Sequence, residues 1–141
     1  MKRSLLALGA TATATAALML GAGPASAAGW LSDPAECVST ATAVSRVVDG
    51  RTVEVRYGTC WGGQHGWGRI LGYKTTSTDY IRFEVDTDGD RVANEASYFL
   101  AGVRNYTAGW PTSTSSKVAF RACYVTYAGS TCNSANATSW W

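Results

Sequence analysis

Three segments of this chain alternate apolar and polar residues with a period of two, and this pattern narrows the fold more than any other feature. "RTVEVRYGTC" (51–60) sets Val53, Val55 and Tyr57 against Glu54 and Arg56. "DYIRFEVD" (79–86) sets Ile81, Phe83 and Val85 against Arg82 and Glu84. "KVAFRACYVTY" (117–127) sets Val118, Phe120, Ala122 and Tyr124 against Arg121, Cys123 and Val125. Successive side chains of a strand project to opposite faces, so each segment reads as a strand with one face buried. Weaker strand patterns, broken by glycine, occupy "GWGRILGY" (66–73) and "ASYFLAGV" (96–103), and "WPTSTSS" (110–116) reads as a turn or loop. "CVSTATAVSRVVDG" (37–50) admits a helical face through Val38, Ala41, Val44 and Val48. Its Val and Thr content and the Asp49-Gly50 pair ahead of a clear strand favour a hairpin strand instead. The expected fold class is all-β, a small antiparallel sandwich of six or seven strands.

The first residues do not belong to that pattern. Lys2 and Arg3 precede an uncharged apolar run from Leu5 to Leu20, Pro24 ends it, and Ala25-Ser26-Ala27 offers small residues at a cleavage site. This reads as a secretory signal over residues 1–27, with a single β domain over 28–141. A membrane anchor fits less well, because the run is Ala/Thr-rich and short for the ~20 apolar residues a span needs. Of 12 basic and 10 acidic residues, two basic ones leave with the signal, so the domain is balanced at ten of each. Its arginines are scattered, without a run that would track a phosphate backbone, so nucleic acid is not an expected partner. Nor is a membrane, once the signal is cleaved. The localisation expected is secreted and extracellular.

Four cysteines in an oxidising compartment read as two disulfides. None stands in C-x-x-C spacing and the only histidine is His65, which argues against zinc. With Asp49 and Gly50 as the central turn residues, Cys60 faces Ser39, two residues from Cys37. One bulge or a diagonal link would bring that pair within the ~4.4–6.8 Å between Cα atoms that a disulfide requires. Cys123 and Cys132 flank a second turn, "TYAGST". The preferred pairing is Cys37 with Cys60 and Cys123 with Cys132, one of three possible connectivities.

"DTDGDRVANE" (86–95) comes closest to a metal site. Calcium takes six to eight oxygens, and Asp86, Asp88 and Asp90 alternate as loop ligands do, with Glu95 as a last acid. The short loop of excalibur-type extracellular modules is similar. Arg91 stands where the tight turn wants glycine, and Asn94 replaces that pattern's cysteine. A polar turn centred on Asp88-Gly89 is the competing reading. No cofactor is expected beyond weakly bound calcium.

Six tryptophans, all after the signal, exceed what a small core needs. In "CWGGQHGWGR" (60–69), Trp61, Gln64, His65 and Trp67 share a glycine-rich loop whose flexible backbone and planar side chains can shape a groove for a ligand. The packing alternative sets Trp61 against the Cys37–Cys60 bridge and Trp67 in the core, and has Trp140-Trp141 closing one end of the sandwich. Catalytic groups are few. His65 has no nucleophile beside it once the cysteines are bridged. Glu54, Glu84, Asp79 and Asp86 are the available carboxylates for glycoside hydrolysis, and Glu54 and Glu84 are expected on solvated strand faces beside Arg56 and Arg82. An enzyme is therefore the weaker reading.

The stretches "VEVRYGTCWGG…GWGRI" and "FRACYV…TC…TSWW" resemble small secreted proteins of Streptomyces and related actinomycetes. That group shares a Cys-bearing strand, a Trp-x-Arg element and a late Arg-Ala-Cys strand. The resemblance implies an exported disulfide-containing β domain and implies no activity. Two functions remain as expectations. One is a secreted binding module for a glycan, cell-wall polymer or protein. The other is an exported effector, an inhibitor or toxin.

Overall fold

The computed structural model describes residues 29–141, so the secretory signal read from residues 1–27 lies outside them. Asp49 and Gly50 turn back the first hairpin with φ of 49° and 77°, the left-handed pair that matches the twist of two antiparallel strands. The hairpin joins β1 (Val38–Val48) to β2 (Arg51–Cys60). Val48 faces Arg51 and Val44 faces Val55, and two irregularities between Val38 and Val44 then shift the pairing. Ser39, at φ 51°, lies within them. Together they bring Cys37 opposite Cys60, and the two are bridged with Cα atoms 4.3 Å apart. The second disulfide joins Cys123 to Cys132.

β2 continues into β3 (Gly63–Leu71) through Trp61-Gly62, with Cys60 facing Gly63. The glycine-rich stretch is thus a tight turn and a strand, and not a flexible loop. β4 (Tyr80–Asp86), β5 (Glu95–Leu100), the two-residue β6 (Trp110–Pro111) and β7 (Ala119–Val125) follow. Two antiparallel sheets result, ordered β1-β2-β3-β6 and β5-β4-β7. The fold is the all-β sandwich of seven strands that the alternation implied.

Val53, Val55 and Ile70 of one sheet meet Ile81, Phe83, Val85, Phe120 and Ala122 of the other between the layers. Glycine makes this approach possible. A Cβ on Gly68 would lie 3.1 Å from Phe83 Cβ, and one on Gly66 would lie 3.0 Å from the Phe120 ring. The C-terminal segment then closes the free side of β7. Thr138 N donates to Ala122 O at 2.9 Å, Phe120 N to Trp141 O at 2.8 Å and Trp141 N to Phe120 O at 2.9 Å. On the outer face of that sheet, Cys123, Val125, Cys132 and Ala137 form a second small core.

Two expectations are corrected. Glu84 is 1% exposed, because the C-terminal segment covers its face and Cys132 N donates to it at 3.1 Å. Glu54 is also buried and takes Arg69, its cross-strand neighbour, at 2.7 Å rather than Arg56. Trp67 is buried at 5% exposure, but outside the inter-sheet core. Val55 and Ile70 point inward, so the odd positions of β3 face outward, and Trp67 lies there beside Pro34 and Tyr106.

Candidate functional site

At the end of the sandwich where β3 begins, the chain leaves a hollow of about 450 Å3. One wall is the loop from Thr112 to Ser116, rich in hydroxyls. Gln64, bonded to that loop, and the indole of Trp141 also line the hollow. The loop is shaped by its own side chains. Ser115 N donates to Ser113 Oγ at 3.1 Å, Lys117 N to Ser115 Oγ at 3.3 Å and Val118 N to Ser115 O at 3.2 Å. These local bonds give the backbone a turn in place of a ladder. Thr112 ties the loop to β3, its N donating to Gln64 O at 2.9 Å and its hydroxyl to Gln64 Oε1 at 3.0 Å. Trp141 stacks on Tyr57 at 5.3 Å between ring centres and leans on Phe120 at 5.8 Å, yet stays 41% exposed.

The acidic stretch buttresses this wall. The buried carboxylate of Asp86 accepts Gly89 N at 2.7 Å and Asp88 N at 3.0 Å on Oδ1, and Arg91 N at 2.9 Å on Oδ2. Arg91 Nη1 adds an ion pair to Oδ2 at 2.7 Å, while Nη2 donates to Ser116 O at 3.1 Å. One guanidinium therefore fastens the β4–β5 loop to the loop lining the hollow. Burial opposes the charge on Asp86, but the backbone N–H of Gly89 and the Arg91 guanidinium outweigh it and hold the carboxyl well below the usual range. Arg91 takes φ 62°, the conformation that favours glycine.

The four carboxylates read as metal ligands separate. Oxygens of Asp86, Asp88 and Asp90 lie within 4.8 Å of one another, and Glu95 stands apart at the start of β5 opposite Val85. Asp88 accepts from Asp90 N and Asp90 from Val92 N, so each acid also closes part of the turn. Both oxygens of Asp86 are already engaged, one of them by a cation.

The proposed ligand residues of the 60–69 stretch do not share one face. Gln64 lines the hollow. Trp61 projects from the hairpin turn at 95% exposure, above the Cys37–Cys60 bridge and not packed on it. His65 is buried, with Nδ1 3.0 Å from Gly63 O, and Trp67 lies on the outer face of the sheet. Trp141 and the 112–116 hydroxyls were the part of the hollow that sequence reasoning missed. A Ser/Thr run next to Pro111 was their only signal, and nothing local tied it to the chain's last residue.

Each carboxylate considered for hydrolysis carries an arginine. Asp79 binds Arg51 at 2.8 Å, Glu54 binds Arg69 at 2.7 Å, Glu84 binds Arg82 at 2.8 Å and Asp86 binds Arg91 at 2.7 Å. Asp79 is opposed by burial, but Arg51 and the Lys74 backbone N–H overcome this and lower its pKa to about 2. A general acid needs a pKa raised toward neutrality, the opposite direction. No protein-family model matches the chain, and neither the curated proteins nor the solved structures yield a match to it.

Proposed function

We propose that the chain is an exported binding module that holds a neutral glycan segment, as in a cell-wall polymer, in the hollow beside Trp141. The observation that carries this reading is the composition of the hollow. An exposed indole lines the same hollow as an amide and a row of hydroxyls, the pairing of apolar face and polar edge that a sugar ring presents. The two disulfides suit a chain working outside the cell. Retention on insoluble polysaccharides tests it. The wild-type domain is expected to be retained on at least one, and Trp141→Ala and Gln64→Ala to weaken retention by about tenfold, the worth of an aromatic contact or one hydrogen bond. Gln64 is exposed, so its replacement leaves the fold intact. A wild-type domain that elutes unretained from every polysaccharide overturns the reading.

A second reading rests on Trp61. A single indole at 95% exposure, on a hairpin anchored by a disulfide, is the form a preorganised protein-binding anchor takes. That would be an exported inhibitor or toxin. Loss of cell inhibition in Trp61→Ala, with Gln64→Ala unaffected, would favour it over the glycan module.

A further inference from the structure

The outer face of β4 and β7 carries a separate depression of about 300 Å3, and three guanidinium groups line it: Arg82, Arg91 and Arg121. Glu84 is the one carboxylate in the lining, and both its oxygens are engaged. Oε1 accepts Arg82 Nε at 2.8 Å and Cys132 N at 3.1 Å, and Oε2 accepts Arg121 Nε at 2.9 Å. Arg121 Nη2 lies 2.7 Å from Oε2 as the ion pair and donates to Cys132 O at 3.1 Å. Glu84 thereby locks two guanidinium planes in place, and Trp140 stacks against Arg121 at 4.5 Å. Asp86 balances Arg91 from outside the lining. Within the lining itself three guanidinium groups face one carboxylate, while Asp86, with Asp88 and Asp90 beside it, lies on the far side of Arg91.

The donors are in excess too. Among the described residues Arg82 gives only its Nε to a protein acceptor, and Arg121 keeps Nη1 free. Among the described residues no buried side-chain nitrogen or oxygen lacks a partner, so these free Nη groups reach solvent. We propose that this depression is an oxyanion-binding site, taking a carboxylate, sulfate or phosphate group against the Nη donors of Arg82 and Arg121. Fixed guanidinium forks facing open space are the geometry that recognises such groups, and little side-chain entropy remains to be lost on binding. This site stands on its own observations and does not depend on the glycan reading of the hollow.

The arginine Nε–H signals in NMR report on it directly, with sodium sulfate, phosphate and acetate titrated against chloride at matched ionic strength. Saturable shifts of the Arg82 and Arg121 signals at millimolar concentration of at least one oxyanion are expected, unchanged in Gln64→Ala. The tetrahedral anions and acetate distinguish an ester-type group from a carboxylate as the natural one. Val92 lines the depression, is exposed and joins no ion pair, so Val92→Glu adds a negative charge without disturbing the fold. It should weaken binding at least about tenfold, the worth of one charged hydrogen bond. Shifts no larger than those with chloride, or binding undiminished in Val92→Glu, would overturn the assignment.

Discussion

Asp86 and Arg91 divide one ion pair unequally, and substitution should expose the difference. Asp86 is fully buried and also satisfies three backbone N–H groups, so Asp86→Ala strips the turn of its acceptor. The expected loss is about 3–5 kcal/mol by denaturant unfolding. Arg91 is 43% exposed, but its removal leaves the buried Asp86 carboxylate with backbone N–H donors alone, so Arg91→Ala should cost about 1–3 kcal/mol, while loosening the Ser116 wall and weakening whatever the hollow binds. Equal losses from the two would mean that the turn is held by the ion pair alone. The sequence displayed the acids plainly. It did not disclose that Arg91, noted as the misfit in a calcium loop, would reach 25 residues along the chain to Ser116. Contacts of that range have no local signature.

At the level of elements, the strands and both disulfides were legible because alternation, a turn pair and cysteine spacing are local quantities. The 60–69 stretch was misread as a loop because Gly66 and Gly68 mimic loop composition. Their real cause is distant, the ring of Phe120 and the Cβ of Phe83 on the facing sheet. Gly68→Ala should accordingly cost about 1–3 kcal/mol through overpacking, and Gly58 on the outer face is as tight, a Cβ there meeting Thr40 Cγ2 at 2.9 Å and the Val38 carbonyl oxygen at 3.0 Å. Unfolding curves of the Gly68→Ala domain that overlay the wild type would show that the layers have slack. The burial of Glu54 and Glu84 was hidden for the same reason, since alternation reports which face a residue takes and not what later covers that face.

For the whole molecule, Asp79 and Asp86, the buried aspartates whose carboxyls are held low, tie stability to pH at the acid end. Asp79 and Asp86 ionise at lower pH in the folded chain than in the unfolded one, so their stabilisation is complete above the ordinary aspartate range of about 4. It is lost as pH falls toward about 2 for Asp79, and lower still for Asp86. Melting temperature measured from neutral pH downward should hold level to about 4 and then decline, and a decline beginning near pH 6 would place the cause elsewhere. Trp141 bears on the whole body as well, since its backbone and ring join β7 to β2. Trp141→Ala should cost about 2 kcal/mol, less than a fully buried tryptophan, so its effect on binding is read beside that of Gln64→Ala. The Arg91 fastening has a consequence for where such a domain can operate. A metal tie is populated by mass action, and fails when the medium is dilute in the ion or contains a chelator. A tie carried on the polypeptide is present at one equivalent, so the hollow is expected to keep its shape when chelator replaces calcium, as binding measured in both media would show.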